Sequence, residues 1–289
     1  MTEAALRFLQ YGSLLPLAGI LLDPVRLGPG GGRMPVDPRW LATVCLVVST
    51  AAFVATVQGM TGQPLRSIDP EVVRFILVDT GSGNAFAMRS AALVVATTLL
   101  IARRRAAATP FAVLAVVTLA WTGHAANSEG IAGTAHRFVD AVHLLAAAAW
   151  LGGIAILLRM NAGATVAVLP LEERIAALRR FSATGTILVA TVLLSGVYNL
   201  VAIVGPDRIA FLPSTTYGRL LGLKLLAFLS MLLLAAANRW HLTRMLDDAP
   251  DTHRAAFALR ISLATELGLA VTILAAVAVL GTLDPTTAG

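Results

Sequence analysis

The stretch WTGHAANSEGIAGTAHRFVDAVHLLAAAAWLGG, Trp121 to Gly153, holds three of the chain's five histidines, and an aspartate stands among them. On a helix, with 100° between successive residues, His136, Asp140 and His143 fall within about 60° of one another. Asp140 is four residues after His136 and three before His143, so either pair can reach one ion. His136 and His143 are about 10 Å apart along the axis at 1.5 Å per residue, too far to share an ion directly. His124 sits on the preceding apolar segment, and antiparallel packing of the two segments would bring it level with His143. Imidazole suits copper, zinc, iron and nickel, and a thioether suits Cu(I). Met60 and Met88, near the ends of two other apolar segments, could supply that softer donor. The metal-ligand candidates are therefore His124, His143, His136, Asp140, Met60 and Met88. A blander reading stands beside each: a histidine in an apolar helix often hydrogen-bonds a neighbouring helix, and a methionine there is usually packing. Asp140 could equally pair with Arg89. Ionisable residues gathered inside apolar segments are costly, however, and mark function more often than accident.

The elements that must position these residues are membrane spans. The chain has 289 residues, 57% hydrophobic and 13% charged, against about 25% charged in soluble domains, and its mean hydropathy is +0.79. Residues 40–65, 106–128 and 181–206 carry no Asp, Glu, Lys or Arg, and a spanning helix needs about 20 mostly apolar residues. The pattern predicts an all-α polytopic membrane bundle of about eight transmembrane helices, at 5–22, 39–60, 83–103, 109–127, 134–159, 181–204, 216–240 and 257–282. Pro70–Asp79 and Pro170–Arg180 read as amphipathic helices lying at the interface. The first apolar run has neither a basic lead nor a small-residue cleavage site, so no cleavable signal is expected. One cysteine, Cys45, excludes an internal disulfide and any cysteine-rich metal site.

Arginines orient the bundle. The loops after the odd-numbered spans hold Arg26, Arg33, Arg39, Arg103, Arg104, Arg105, Arg159, Arg174, Arg179, Arg180, Arg239, Arg244 and Arg254, thirteen in all; the other side holds five, Arg7, Arg66, Arg74, Arg137 and Arg208. Positive residues stay cytoplasmic, so both termini are expected outside, on the side of the loop joining the fourth and fifth spans.

The sequence also repeats weakly. TGSGNAFAMR (Thr80–Arg89) enters the third span and TTYGRLLGLK (Thr215–Lys224) the seventh, each with a threonine, a glycine three residues on and a base six beyond that. RFLQYGSLL opens the first span and RFVDAVHLL the fifth, which sets Ser13 opposite His143. These matches suggest one membrane domain made of two parallel four-helix halves, 1–128 and 129–289, with four of the five histidines in the second. Of the remaining polar residues, Tyr198, Asn199 and Asn238 read as interhelical hydrogen bonders. Glu266 reads as an acid bonded to a neighbouring helix or as a relay on an ion path. His241 and His253 read as part of a solvated loop.

Several segments together resemble the CopD/PcoD copper-resistance membrane proteins: AALRFLQYGSLL at the start, GHAA (Gly123–Ala126), VHLLAAAAWLGG (Val142–Gly153), RFSATG and SGVYNL (Arg180–Leu200) and TYGRLLGLKLLAFLSMLLLAAANR (Thr216–Arg239). The likeness covers essentially the whole chain. It implies an eight-span protein of the cell inner membrane that handles copper ions, passing them from periplasm to cytoplasm. It also implies a small periplasmic copper carrier of CopC type as partner, here a separate chain, and it points to His124, His143 and Trp150. The function expected is thus a copper permease and not an enzyme, with no ATP-binding loop or phosphorylatable aspartate motif to power it. Two other readings stay open. Histidines on neighbouring helices, such as His124 and His143, also suit a b-type haem redox protein, and a membrane scaffold for copper-oxidase assembly would bind metal only in passing.

Overall fold

The computed structural model describes residues 3–25, 36–122, 130–162, 169–239 and 252–283, and every regular element among them is a helix. The helices are α1 (Glu3–Leu22), α2 (Pro38–Thr61), α3 (Pro70–Asp79), α4 (Gly81–Ile101), α5 (Arg105–Val117), α6 (Gly130–Met160), α7 (Leu171–Val204), α8 (Thr216–Ala237) and α9 (Thr252–Leu280). Seven of them, all but α3 and α5, are long and apolar enough to cross a membrane. The fourth apolar segment, expected at 109–127, is a shorter helix from Arg105 to Trp121. Its last turn tightens to a 3₁₀ turn, Thr118–Trp121, where the Thr118 hydroxyl bonds back to the Ala115 carbonyl. Such hydroxyl back-bonding competes with the helical ladder.

Local chemistry sets several starts. Asp37 and Asp69 cap α2 and α3, each accepting a hydrogen bond from the backbone two residues on, with proline at the first helical position. α3 is the expected short amphipathic helix, with Ile76 buried while Phe75 and Val78 face out. The interfacial helix expected at 170–180 is different: it is the first part of α7, which runs unbroken for 34 residues. At 1.5 Å per residue that is about 51 Å, well beyond a hydrocarbon core of about 30 Å. Nothing between Arg180 and Phe181 breaks the helix, Ala177, Leu178 and Phe181 are buried in the main core, and Arg180 donates to the Val25 carbonyl beyond α1. Packing overrides the charge pattern there.

The bundle is organised around α1 and α6. α1 packs on α2, α5, α6 and α9, while α6 also packs on α5, α7 and α9; α4 lies between α2 and α5, and α8 lies on α9. The α1–α6 crossing is tight because its residues are small. A Cβ on Gly152 would lie 2.1 Å from the Gly19 carbonyl carbon, and one on Gly19 would lie 1.9 Å from the Ala148 carbonyl oxygen. This is small-residue packing of the kind that lets membrane helices approach closely. Away from the core the apolar pattern is reversed. Val47, Leu194, Leu226 and Leu233 are all more than 60% exposed, a surface that suits lipid and not water. The start of α1 and the end of α9 meet at one face, called the chain-end face below, where a Cβ on Gly281 would lie 2.8 Å from the Arg7 guanidinium.

Thr80 and Thr215 cap α4 and α8 in the same way. Each side chain accepts a 3.0 Å bond from the glycine N–H three residues on. Each of those glycines, Gly83 and Gly218, lies against a carbonyl of the short helix before it, that of Ile76 or Leu212, with no room for a Cβ.

Candidate metal site

His136, Asp140 and His143 lie on the half of α6 nearest the face that carries the chain ends. His143 is held from α7: its Nδ1 lies 2.9 Å from the Ser195 hydroxyl. That hydroxyl donates its one hydrogen to the Thr191 carbonyl, 2.5 Å away, so toward the imidazole it acts as acceptor. Nδ1 therefore carries the proton, and Nε2 keeps its lone pair in the neutral ring. A fixed tautomer with a free pyridine-type nitrogen is what a metal-binding histidine needs, and a partner on the other nitrogen is the usual device that fixes it. Gly196 makes room, since a Cβ there would come to 3.4 Å from the ring's Cε1.

One turn toward the chain-end face, Asp140 repeats the pattern. Its carboxylate accepts a 3.0 Å bond from Asn199 Nδ2 on α7, and it interacts electrostatically with Lys224 and Tyr11. Two rungs thus cross from α6 to α7, Asp140 to Asn199 and His143 to Ser195. Asn199 is the interhelical hydrogen bonder its setting suggested. Ser195 escaped sequence reasoning. The available signal was two polar side chains four residues apart in a charge-free span, the spacing that faces a pair on the neighbouring helix.

His136 is 3% exposed, packs edge-on against the Tyr198 ring at 6.3 Å, and lines a cleft of about 1460 Å³ at the chain-end face. Gln10, Tyr11, Ser49, Arg89, Trp121 and Met60 also line that cleft. Met60 is at its rim, 57% exposed; Met88 is half exposed on α4 and is not among the lining residues. Arg89, the alternative partner for Asp140, donates to the hydroxyl and carbonyl of Thr118 at 2.9 and 3.2 Å, which ties α4 to the end of the short fourth segment. His124 and His241 lie outside the described residues. Among the described residues no three His, Cys, Asp or Glu side chains converge as a metal site. The arrangement at His143 and Asp140 can thus offer one imidazole nitrogen and, one helical turn away, a carboxylate.

A second polar place lies in the other half of the bundle. Glu266 on α9 is 2% exposed and accepts a 2.6 Å bond from Asn238 at the end of α8. The two residues border a largely apolar cavity of about 320 Å³. Asn238 is again an interhelical hydrogen bonder, and Glu266 is indeed bonded to a neighbouring helix.

Comparison with known proteins adds to this geometry. Residues 1–134 match the family described as copper resistance protein D-like, N-terminal domain, and residues 175–280 match copper resistance protein D. The chain is 34% identical to Copper resistance protein D of Pseudomonas syringae pv. tomato, over 97% of this chain and 96% of that one. It is 29% identical to Inner membrane protein YebZ of Escherichia coli strain K12, over 98% of each. No solved structure matches.

Proposed function

The chain belongs to the copper resistance protein D family, and from that premise we propose that it is an inner-membrane permease that accepts copper at the periplasmic face and moves it toward the cytoplasm. The observation that carries this reading is the His143–Ser195–Thr191 chain, which leaves Nε2 with its lone pair beneath the face where the chain ends meet. The arginine asymmetry supports taking that face as periplasmic and the opposite one as cytoplasmic.

Copper is the cargo. His143 and His124 are its principal donors, Asp140 offsets its charge beside them, and His136 and Met60 serve the approach through the cleft. Met88 is the remaining soft donor near that face. The polar cleft is where a soluble periplasmic carrier of CopC type would release the ion. Thioether and imidazole donors in sequence favour passage, because each holds the ion weakly enough to release it to the next. The two four-helix halves, 1–128 and 129–289, meet at α1 and α6, and the cargo moves along the α6 side of that contact.

The test is copper entry into vesicles reconstituted with the full chain, for the wild type and His143→Ala. Entry that depends on protein and falls about tenfold or more in the variant, as when a metal ligand is lost, supports the reading. A purified protein that is red with a Soret band, or copper binding without any entry, would replace it with the haem or the scaffold reading.

A further inference from the structure

The cleft at the chain-end face carries a charge that does not suit a bare cation. Among its described lining residues are three arginines, Arg7, Arg89 and Arg137, against one carboxylate, Glu3, which lies 2.9 Å from Arg7. Arg89 differs from the other two in depth, at 2% exposure. Among the described residues no carboxylate forms an ion pair with it. Asp140, its counter-charge by depth alone, is held by Asn199 and is not among the lining residues. A guanidinium buried without a counter-charge is costly, so an arrangement of this kind favours an anion beside it.

The groups around Arg89 are donors. Its Nε and Nη2 donate to the hydroxyl and carbonyl of Thr118, while both hydrogens of Nη1 and the second of Nη2 have no acceptor among the described residues. Tyr11 on α1 is within electrostatic reach of the guanidinium. Gln10, beside it in sequence, is 7% exposed, and its amide makes no hydrogen bond among the described residues. Ser49 on α2 is 1% exposed, and its hydroxyl has no partner either. Ser13 bonds Cys45 where α1 meets α2. Consecutive spans run antiparallel, so one turn outward Gln10 stands level with Ser49. Gln10, Tyr11, Ser49 and Arg89 all line the cleft. Gln10 lies about 10 Å along α1 from Glu3 at the rim, which puts the group at the cleft floor.

We propose that the floor of this cleft is a binding site for a small carboxylate anion. The two oxygens of a carboxylate match the Nη1–Nη2 edge of Arg89 as a bidentate pair. The Gln10 amide, the Ser49 hydroxyl and the Tyr11 phenol supply neutral donors beside it. One buried guanidinium balances a monoanion and not a phosphate dianion, and its planar fork favours a carboxylate over a spherical halide. The consequence for copper rests on the permease reading. Three arginines against one glutamate repel a cation on its way to Met60 and His136, which line the same cleft. A carboxylate on Arg89 removes one of those positive charges, so copper enters more readily when the anion is in place.

The test is binding of carbon-13-labelled acetate to the full chain in detergent without copper, read by nuclear magnetic resonance, with chloride and inorganic phosphate as competitors. The wild type is expected to bind acetate saturably and to prefer it to either competitor. Arg89→Leu should abolish binding, and Gln10→Leu and Ser49→Ala should each weaken it about tenfold, as when a hydrogen bond to a charged group is lost. Arg89→Leu also removes the tie to Thr118, so Gln10→Leu and Ser49→Ala, whose side chains hold no partner, decide the matter if that variant fails to fold. No saturable binding in the wild type, or equal binding in Gln10→Leu, Ser49→Ala and the wild type, would overturn the anion site. Tighter binding of chloride or phosphate would overturn its assignment to a carboxylate. In reconstituted vesicles acetate should speed copper entry in the wild type and less so in Gln10→Leu. Acetate binding without any copper entry would overturn the permease reading and leave the anion site standing.

Discussion

Ser195→Ala is the perturbation that bears most closely on how the outer imidazole is set. Ser195 accepts from His143 Nδ1 at 2.9 Å and gives its own hydrogen to Thr191. Removing the hydroxyl takes away the Ser195 acceptor of a half-buried N–H and leaves it the Val192 carbonyl alone, at a cost of about 1 kcal/mol. The ring can relieve this by turning or by moving its proton to Nε2, and either change removes the lone pair that would meet copper. Loss of a partner that orients a metal-binding histidine lowers affinity about 10–100-fold, or about 1.4–2.7 kcal/mol. The assay is competition for Cu(I) against a chelator of known affinity, with helix content followed by circular dichroism to show an intact fold. Ser195→Thr keeps a hydroxyl and is expected to bind within a fewfold of the wild type. If Ser195→Ala binds copper as tightly as the wild type while His143→Ala does not, the tautomer argument is wrong.

Other expectations follow from the packing and the caps. Gly152→Leu would drive a side chain into the backbone of Gly19, 2.1 Å from the added Cβ. The penalty should exceed the usual overpacking range of about 1–3 kcal/mol, seen as a large loss of thermal stability in detergent, whereas Gly222→Leu meets nothing within 4 Å and should be tolerated. Thr80→Ala and Thr215→Ala should each cost about 1 kcal/mol, and by similar amounts, because the two caps have the same 3.0 Å geometry. Asp37, outside the spans, is held down to about 2 from an ordinary 3.8 by its hydrogen bonds from Arg39. Its folded value is depressed, so its contribution is complete above the ordinary value and is lost as pH falls through about 2; a carboxyl titration by nuclear magnetic resonance reads this directly, and Arg39→Gln should raise the midpoint.

Much of the fold was legible because membrane spans announce themselves through missing charge, and seven long helices stand where apolar runs were read. The fourth was misjudged in length, since the run through Trp121 looks uniform in hydropathy while the Thr118 back-bond tightens its last turn. The start of α7 was misjudged because Glu172, Glu173 and Arg174 look interfacial, and only the burial of Ala177 and Leu178 reveals the continuous helix. Of the site, the α6 stripe was legible from helical periodicity, and Thr80 and Thr215 were visible as a repeat that turns out to consist of matching caps. The partners were not. Ser195 and Asn199 sit more than fifty residues from the groups they hold, and no periodicity within one helix tells which face of another it will meet. Arg89 and Asp140 looked suited to each other by depth alone, yet Thr118 offered Arg89 both a hydroxyl and a carbonyl.

The most direct measurement is the X-ray absorption spectrum of copper bound to the purified chain, compared between the wild type and a His124→Ala/His143→Ala variant. The account expects the scattering signature of imidazole nitrogen around the ion in the wild type, and its loss together with most of the bound copper in the variant. The same imidazole signature and the same copper content in both proteins would contradict it.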